Sequence, residues 1–101
     1  RIKKLQTFLQ KQPEDSVLRH ALALEYINIG EDEAAQKLFQ GILEKNPEYI
    51  GSYYHLGKLL ERIGETEEAV TIYQKGIEVA GKINDRHTKN ELQTALDALV
   101  E

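Results

Sequence analysis

Three histidines, two serines and one pair of cations are where any chemistry of this chain would have to begin. His20, His55 and His87 lie far apart, so no two share the i, i+4 spacing that lets one helix face hold a zinc ion. No cysteine is present to complete a ligand set, and no metal or cofactor site is expected. Ser16 and Ser52 each fall at or near an expected helix start, and no base stands at a readable spacing to activate either one. Gly76-x-x-x-x-Gly81-Lys82 has the outline of a phosphate-cradling loop. Ile83, however, occupies the place where Ser or Thr must meet magnesium, and the segment closes a helix instead of joining a strand to one. Lys58 and Arg62 lie four residues apart on one helix face with Tyr54. They could receive a carboxylate, the arginine through paired hydrogen bonds, or Glu61 beside them could neutralise them. The residues therefore favour recognition of another protein over catalysis or a small-molecule substrate.

The elements that must carry these side chains are helical. Apolar residues recur at helical spacing between Gly, Pro and Asn/Asp punctuation, which predicts helices near 1–12, 16–29, 32–45, 48–63, 66–80 and 85–100. Gly30 and Gly64 are expected as left-handed residues just past a helix end, and Gly81 is expected to close the fifth helix. Glu31, Asp32 and Glu33, and later Glu67 and Glu68, meet the positive ends of helix dipoles. The opening run Arg1, Lys3, Lys4 and Lys11 contains no acid. It could contact a negative partner or the acidic turn at Glu31 to Glu33. The overall net charge of −4 disfavours a nucleic-acid binder. No apolar run approaches the ~20 residues of a membrane span. No signal peptide is visible, and the absence of cysteine fits a reducing compartment, so a cytoplasmic location is expected.

The strongest signal is a period of 34 residues. Pro13 recurs as Pro47, Leu22 as Leu56, Gly30 as Gly64, Glu31 as Glu65, Ala35 as Ala69 and Gln40 as Gln74. Ala23 pairs with Gly57, Tyr26 with Leu60, Phe39 with Tyr73 and Leu43 with Ile77. Such a period marks stacked helix pairs, each burying its apolar face against the next. Leu5, Gln6, Leu9, Lys11 and Pro13 continue the register backwards, so the first helix reads as the second member of a pair. The last helix leaves the register. It is apolar on one side and polar at Lys89, Gln93 and Asp97, as the end of a stack requires. The organisation expected is one domain over 1–101: a half-repeat helix at 1–12, repeats at 13–46 and 47–80, and a capping helix at 84–100.

These residues resemble the tetratricopeptide repeat, or TPR. The matches are Tyr53-x-x-Leu56-Gly57-x-x-Leu60 with Ala69-x-x-x-Tyr73, and Leu22-Ala23-x-x-Tyr26 with Ala35-x-x-x-Phe39 and Pro47. The segment Tyr53 to Leu59 is also similar to that of small stand-alone bacterial TPR proteins. Two positions depart from the pattern: Arg19 stands where an aromatic is usual, and Ile42 where a small residue is usual. The resemblance implies an all-α, right-handed superhelix of antiparallel helix pairs with a C-terminal capping helix. It also implies a concave face, lined by the first helix of each pair, that binds a protein or peptide segment. Helical spacing puts His20, Leu24, Ile27 and Asn28 on that face in the first repeat, and Tyr54, Lys58 and Arg62 in the second. Some members clamp an acidic chaperone tail with Lys, Asn and Arg. The matching positions here carry His20, Leu24, His55 and Asp85, with Lys89 the one basic group, which argues against that ligand. The alternative to a partner segment is assembly of copies, a homodimer through exposed apolar helices.

Overall fold

The computed structural model describes residues 1–101 and contains six helices and no strand: α1 (Ile2–Lys11), α2 (Ser16–Asn28), α3 (Asp32–Lys45), α4 (Gly51–Arg62), α5 (Thr66–Lys82) and α6 (Arg86–Val100). Antiparallel pairs α2–α3 and α4–α5 stack through α3 and α4 in a superhelical arrangement, with α1 on α2 at one end and α6 on α5 at the other. The core is one apolar cluster running along the stack, centred on Phe39, Ile42, Leu56, Leu60, Tyr73 and Leu92. Each of these is at least 99% buried, and a large apolar side chain so buried contributes about 1.5–3 kcal/mol.

The pairs close because small residues let large ones in. The ring of Tyr73 on α5 lies directly against the Gly57 backbone on α4, in the space a side chain would fill. A Cβ at Gly76 would sit 2.7 Å from that of Tyr53 and 2.9 Å from a Leu92 methyl, so both α4 and α6 approach α5 at this one residue.

The turns are copies of one another. Gly30 and Gly64 have φ of 81° and 86°, and their amides return to Ile27 and Glu61. The next amides, those of Glu31 and Glu65, return to Tyr26 and Leu60 at 2.8 Å. The third copy of this turn falls between α5 and α6, and Asn84 takes the left-handed place with φ of 59°. Gly81 does not close α5 as expected, because it stays helical and the helix runs on to Lys82. Gly81 stands one period after Pro47, and a glycine weakens a helix where a proline would stop it. The fourth helix begins at Gly51 instead of near Glu48. Residues 46–50 form turns, with the Tyr49 amide bonded to Asn46 and the Tyr53 hydroxyl donating to the Pro47 carbonyl at 2.6 Å. Asp85 is the N-cap of α6: its carboxylate accepts from the Thr88 amide at 3.0 Å and from the Thr88 hydroxyl at 2.8 Å. Those bonds hold the Asp85 carboxyl below its ordinary range.

Candidate functional site

The first helices of the pairs, α2 and α4, share one side of the stack with α6. Two recesses open there. The smaller, about 120 Å³, lies between α2 and α4 and is lined by Ile27, His55, Lys58, Leu59 and Arg62. The larger, about 380 Å³, lies between α4 and α6. Tyr54 and Lys58 line it from α4, and His87, Asn90, Glu91, Thr94, Ala95 and Ala98 from α6. Lys58 belongs to both, so the recesses adjoin as one trough.

Helix register explains which side chains reach it. Tyr54 and Lys58 are one turn apart, and the Lys58 ammonium stands 5.7 Å from the Tyr54 ring centroid, a cation–π contact. Glu61, one turn beyond, takes the ammonium at 3.9 Å. The same carboxylate accepts the Tyr73 hydroxyl, and burial, reinforced by that bond, pushes the Tyr73 phenol well above its ordinary range. Arg62 reaches across to Asp32 at the start of α3. Both cations thus have an acid partner, yet Lys58 and Arg62 are still about half exposed. Exposed ion pairs of this kind are worth little and exchange readily for a ligand carboxylate.

The other expected binding residues are distributed differently. Ile27 lines the smaller recess, and Leu24 and Ile27 are both half-buried against the core. Asn28 is exposed and lines neither recess. His20 is also outside the trough. Its ring is packed into the seam between α2 and α4, 5.5 Å from Phe39, 5.5 Å from Tyr49 and 5.3 Å from His55. Its Nδ1 is 2.9 Å from the Oγ of Ser52, a fully buried serine with no other side-chain partner. Burial, reinforced by the neighbouring His55, pushes His20 down to about 4. His55 is also lowered by burial, against the opposing charge of Glu91 on α6. Both rings are therefore uncharged near neutrality.

Sequence reasoning missed the α6 wall of the trough. Its signal was present: His87, Asn90, Glu91 and Thr94 recur at helical spacing. The repeat pattern expects apolar or small residues at these positions, so their polar character reads as the water-facing side of a capping helix. A further recess of about 510 Å³ opens between α3 and α5, around Leu43, Pro47, Tyr53 and Ile72. None of the expected binding residues reaches it. No three His, Asp or Glu side chains converge as a metal ion would require, and no helix is long and apolar enough to cross a membrane.

Comparison with known proteins gives concordant results. Residues 50–83 match the family model described as tetratricopeptide repeat. The chain is 41% identical to a tetratricopeptide repeat domain protein from Salinibacter ruber, over 87% of this chain and 89% of that one, with a TM-score of 0.84 to its solution NMR structure. It is 26% identical to a TPR repeat-containing protein of Pseudomonas aeruginosa, over 97% of this chain and 93% of the relative. The first TPR of Spaghetti, solved bound to the HSP90 peptide SRMEEVD, shares the fold at a TM-score of 0.77 and 22% identity, over 99% of this chain and 78% of that one.

Proposed function

The chain belongs to the tetratricopeptide repeat family, and on that premise we propose that it is a non-catalytic interaction module holding a segment of a partner protein in the trough of α2, α4 and α6. Its repeats are taken as 13–46 and 47–80, between a half-repeat at 1–12 and a cap at 84–100. The observation that carries this reading is Lys58, shared by two adjoining recesses and stacked on Tyr54. It offers a cation, an aromatic face and small apolar side chains within one strip. Arg62 and Ile27 extend the strip toward α2, where Leu24 is half-buried against the core. His20 stiffens the α2–α4 seam behind it. The Spaghetti domain, whose structure holds a bound peptide, shows that this fold can carry such a segment. An acidic tail gripped by several cations is not the ligand favoured here, because His20 and His55 are neutral near pH 7 and Lys58 and Arg62 already face acids.

The test is selection of short peptides from a display library on the immobilised chain, followed by titration against Tyr54→Ala and Lys58→Glu. Both positions are at least partly exposed, so these variants should stay folded by circular dichroism. Selected peptides should bind the parent chain and lose about tenfold or more in affinity on Lys58→Glu. Equal binding by both variants would remove the trough from consideration.

A further inference from the structure

The turn between α5 and α6 reverses a charge that the earlier repeats keep. Glu14 and Glu48 stand at equivalent places one period apart, and the next place in the series is Lys82. Glu14 offsets two cations, lying 4.0 Å from Arg19 and 3.9 Å from Lys45. At the α5–α6 turn the cations are Lys82, Arg86 and Lys89, and none of them pairs with an acid. The one acid between Glu78 and Glu91 is Asp85, and both of its oxygens are taken by Thr88.

A recess of about 360 Å³ opens at this corner, lined by Ala80, Gly81, Asn84, Arg86, Lys89 and Asn90. No carboxylate lines it. A Cβ at Gly81 would stand 4.0 Å from the Lys89 ammonium, which therefore lies over the last turn of α5. The carbonyls of that turn are already met: Val79, Ala80 and Gly81 accept the amides of Ile83, Asp85 and Asn84. The recess thus offers an ammonium, a guanidinium and two side-chain amides with no counter-charge. A phosphate monoester, with three acceptor oxygens and about two negative charges at pH 7, matches that set better than a single carboxylate does. Asn90 also lines the α4–α6 recess, so the corner continues the trough around α6. Resting on the reading that a partner segment lies in the trough, we propose that this corner receives a phosphorylated serine or threonine of that segment. A nucleic-acid strand is disfavoured, because the chain's net charge is −4 and Glu91 and Asp97 follow the corner along α6.

Two probes test this on the isotope-labelled chain. One is N-acetyl-phosphoserine methylamide. The other is the set of trough-selected peptides, with phosphoserine, serine or glutamate scanned through each. Phosphoserine at one position should raise affinity about tenfold over serine and shift the amides of Asn84, Arg86, Lys89 and Asn90. Arg86→Gln with Lys89→Gln changes exposed residues only, and should erase that gain while the unphosphorylated peptide binds as before. A phosphopeptide that binds through Lys58 with no shift at the corner would overturn the proposal and leave the trough reading in place. An equal gain from glutamate would overturn the phosphate assignment. So would inorganic phosphate binding as tightly as the phosphopeptide, or phosphatidic acid vesicles binding where no phosphopeptide does. If no peptide enters the trough, yet the methylamide shifts the corner of the parent chain and not of the double variant, the corner stands and the trough reading falls.

Discussion

Arg19 lies across Gly41, its guanidinium in the space a side chain at Gly41 would take. One period later the equivalent of Arg19 is Tyr53, and Tyr53 lies across Gly76. Gly76 is in turn the equivalent of Ile42. The two departures from the repeat pattern are therefore one exchange. Where Ile42 fills the volume between helices, the aromatic has given way to a long, flexible side chain, displaced by one residue onto Gly41. Where Gly76 vacates that volume, Tyr53 fills it and is 2% exposed.

Gly41→Ala and Gly57→Ala should accordingly behave in opposite ways. The methyl at Gly41 meets the movable end of Arg19, and alanine favours a helix over glycine by up to about 1 kcal/mol. Unchanged or slightly raised stability is expected. At Gly57 the methyl meets the buried ring of Tyr73, which has no room to retreat, so a loss of about 1–3 kcal/mol is expected. Urea denaturation of both variants tests the ranking, and equal midpoints would refute it.

This exchange also marks what could be read without coordinates. The helix pairs, the left-handed glycines at Gly30 and Gly64, and the buried positions of Leu22, Phe39, Leu56 and Tyr73 follow from periodicity, because each is fixed by local conformation or by a neighbour one period away. Arg19 and Ile42 were visible as departures, but their compensation runs through Gly41, which lies off the repeat pattern. Ser52 illustrates the same limit. A serine near a helix start reads as a cap, and only the packing of α4 on α2 turns it inward to His20. The trough was half legible. Tyr54 and Lys58 follow from helix register. The α6 wall was not, because α6 leaves the repeat register and carries His87, Asn90, Glu91 and Thr94 where the pattern expects apolar or small residues.

Asn84 and Gly64 occupy matching turns with similar left-handed φ, but only glycine adopts that region without cost. Asn84→Gly should raise stability by about 0.5 kcal/mol, and Gly64→Ala should lower it by about 1–2 kcal/mol. Nothing lies within 4 Å of a Cβ built at Gly64, so the loss would be conformational and not steric. Thermal unfolding of the two variants measures both. A neutral Gly64→Ala would show that the turn relaxes out of this geometry.

Tyr73 donates its hydroxyl to Glu61, whereas its counterpart Phe39 fills the same position in the preceding repeat with no hydroxyl at all. The ring is therefore the packing element and the hydroxyl a separable addition. Tyr73→Phe should cost about 1.5–3 kcal/mol, the net worth of a hydrogen bond to a charged acceptor, with no change in helicity. It should also release Glu61 to bind Lys58 more tightly, weakening any trough ligand that competes for that ammonium. Chemical denaturation reads the first effect. A loss above about 3 kcal/mol would mean that the Glu61 bond holds α4 to α5 in its own right.

His20 gives the fold an acid sensitivity whose sign is fixed by its burial. Its ordinary value near 6.5 in the unfolded chain falls to about 4 in the folded one, so between those limits the unfolded chain binds the extra proton. Stability from the neutral ring is fully present above about pH 6.5 and is lost as pH falls toward 4, after which this contribution levels off. His55 is lowered by burial too and adds a loss of the same sign. Protonating His20 sets a charge among Phe39, Tyr49 and the His55 ring, and protonating His55 sets one beside His20, Phe39 and Tyr54, where Glu91 offsets it in part. Because the His20 ring is only half-buried, solvent screening reduces the effect to about 1–2 kcal/mol. Denaturation midpoints from pH 7.5 to 4 should fall in the parent chain, and His20→Gln, which keeps a partner for Ser52, should flatten the upper part of that curve. A slope unchanged from the parent chain in both His20→Gln and His55→Gln would place the sensitivity in the carboxylates instead.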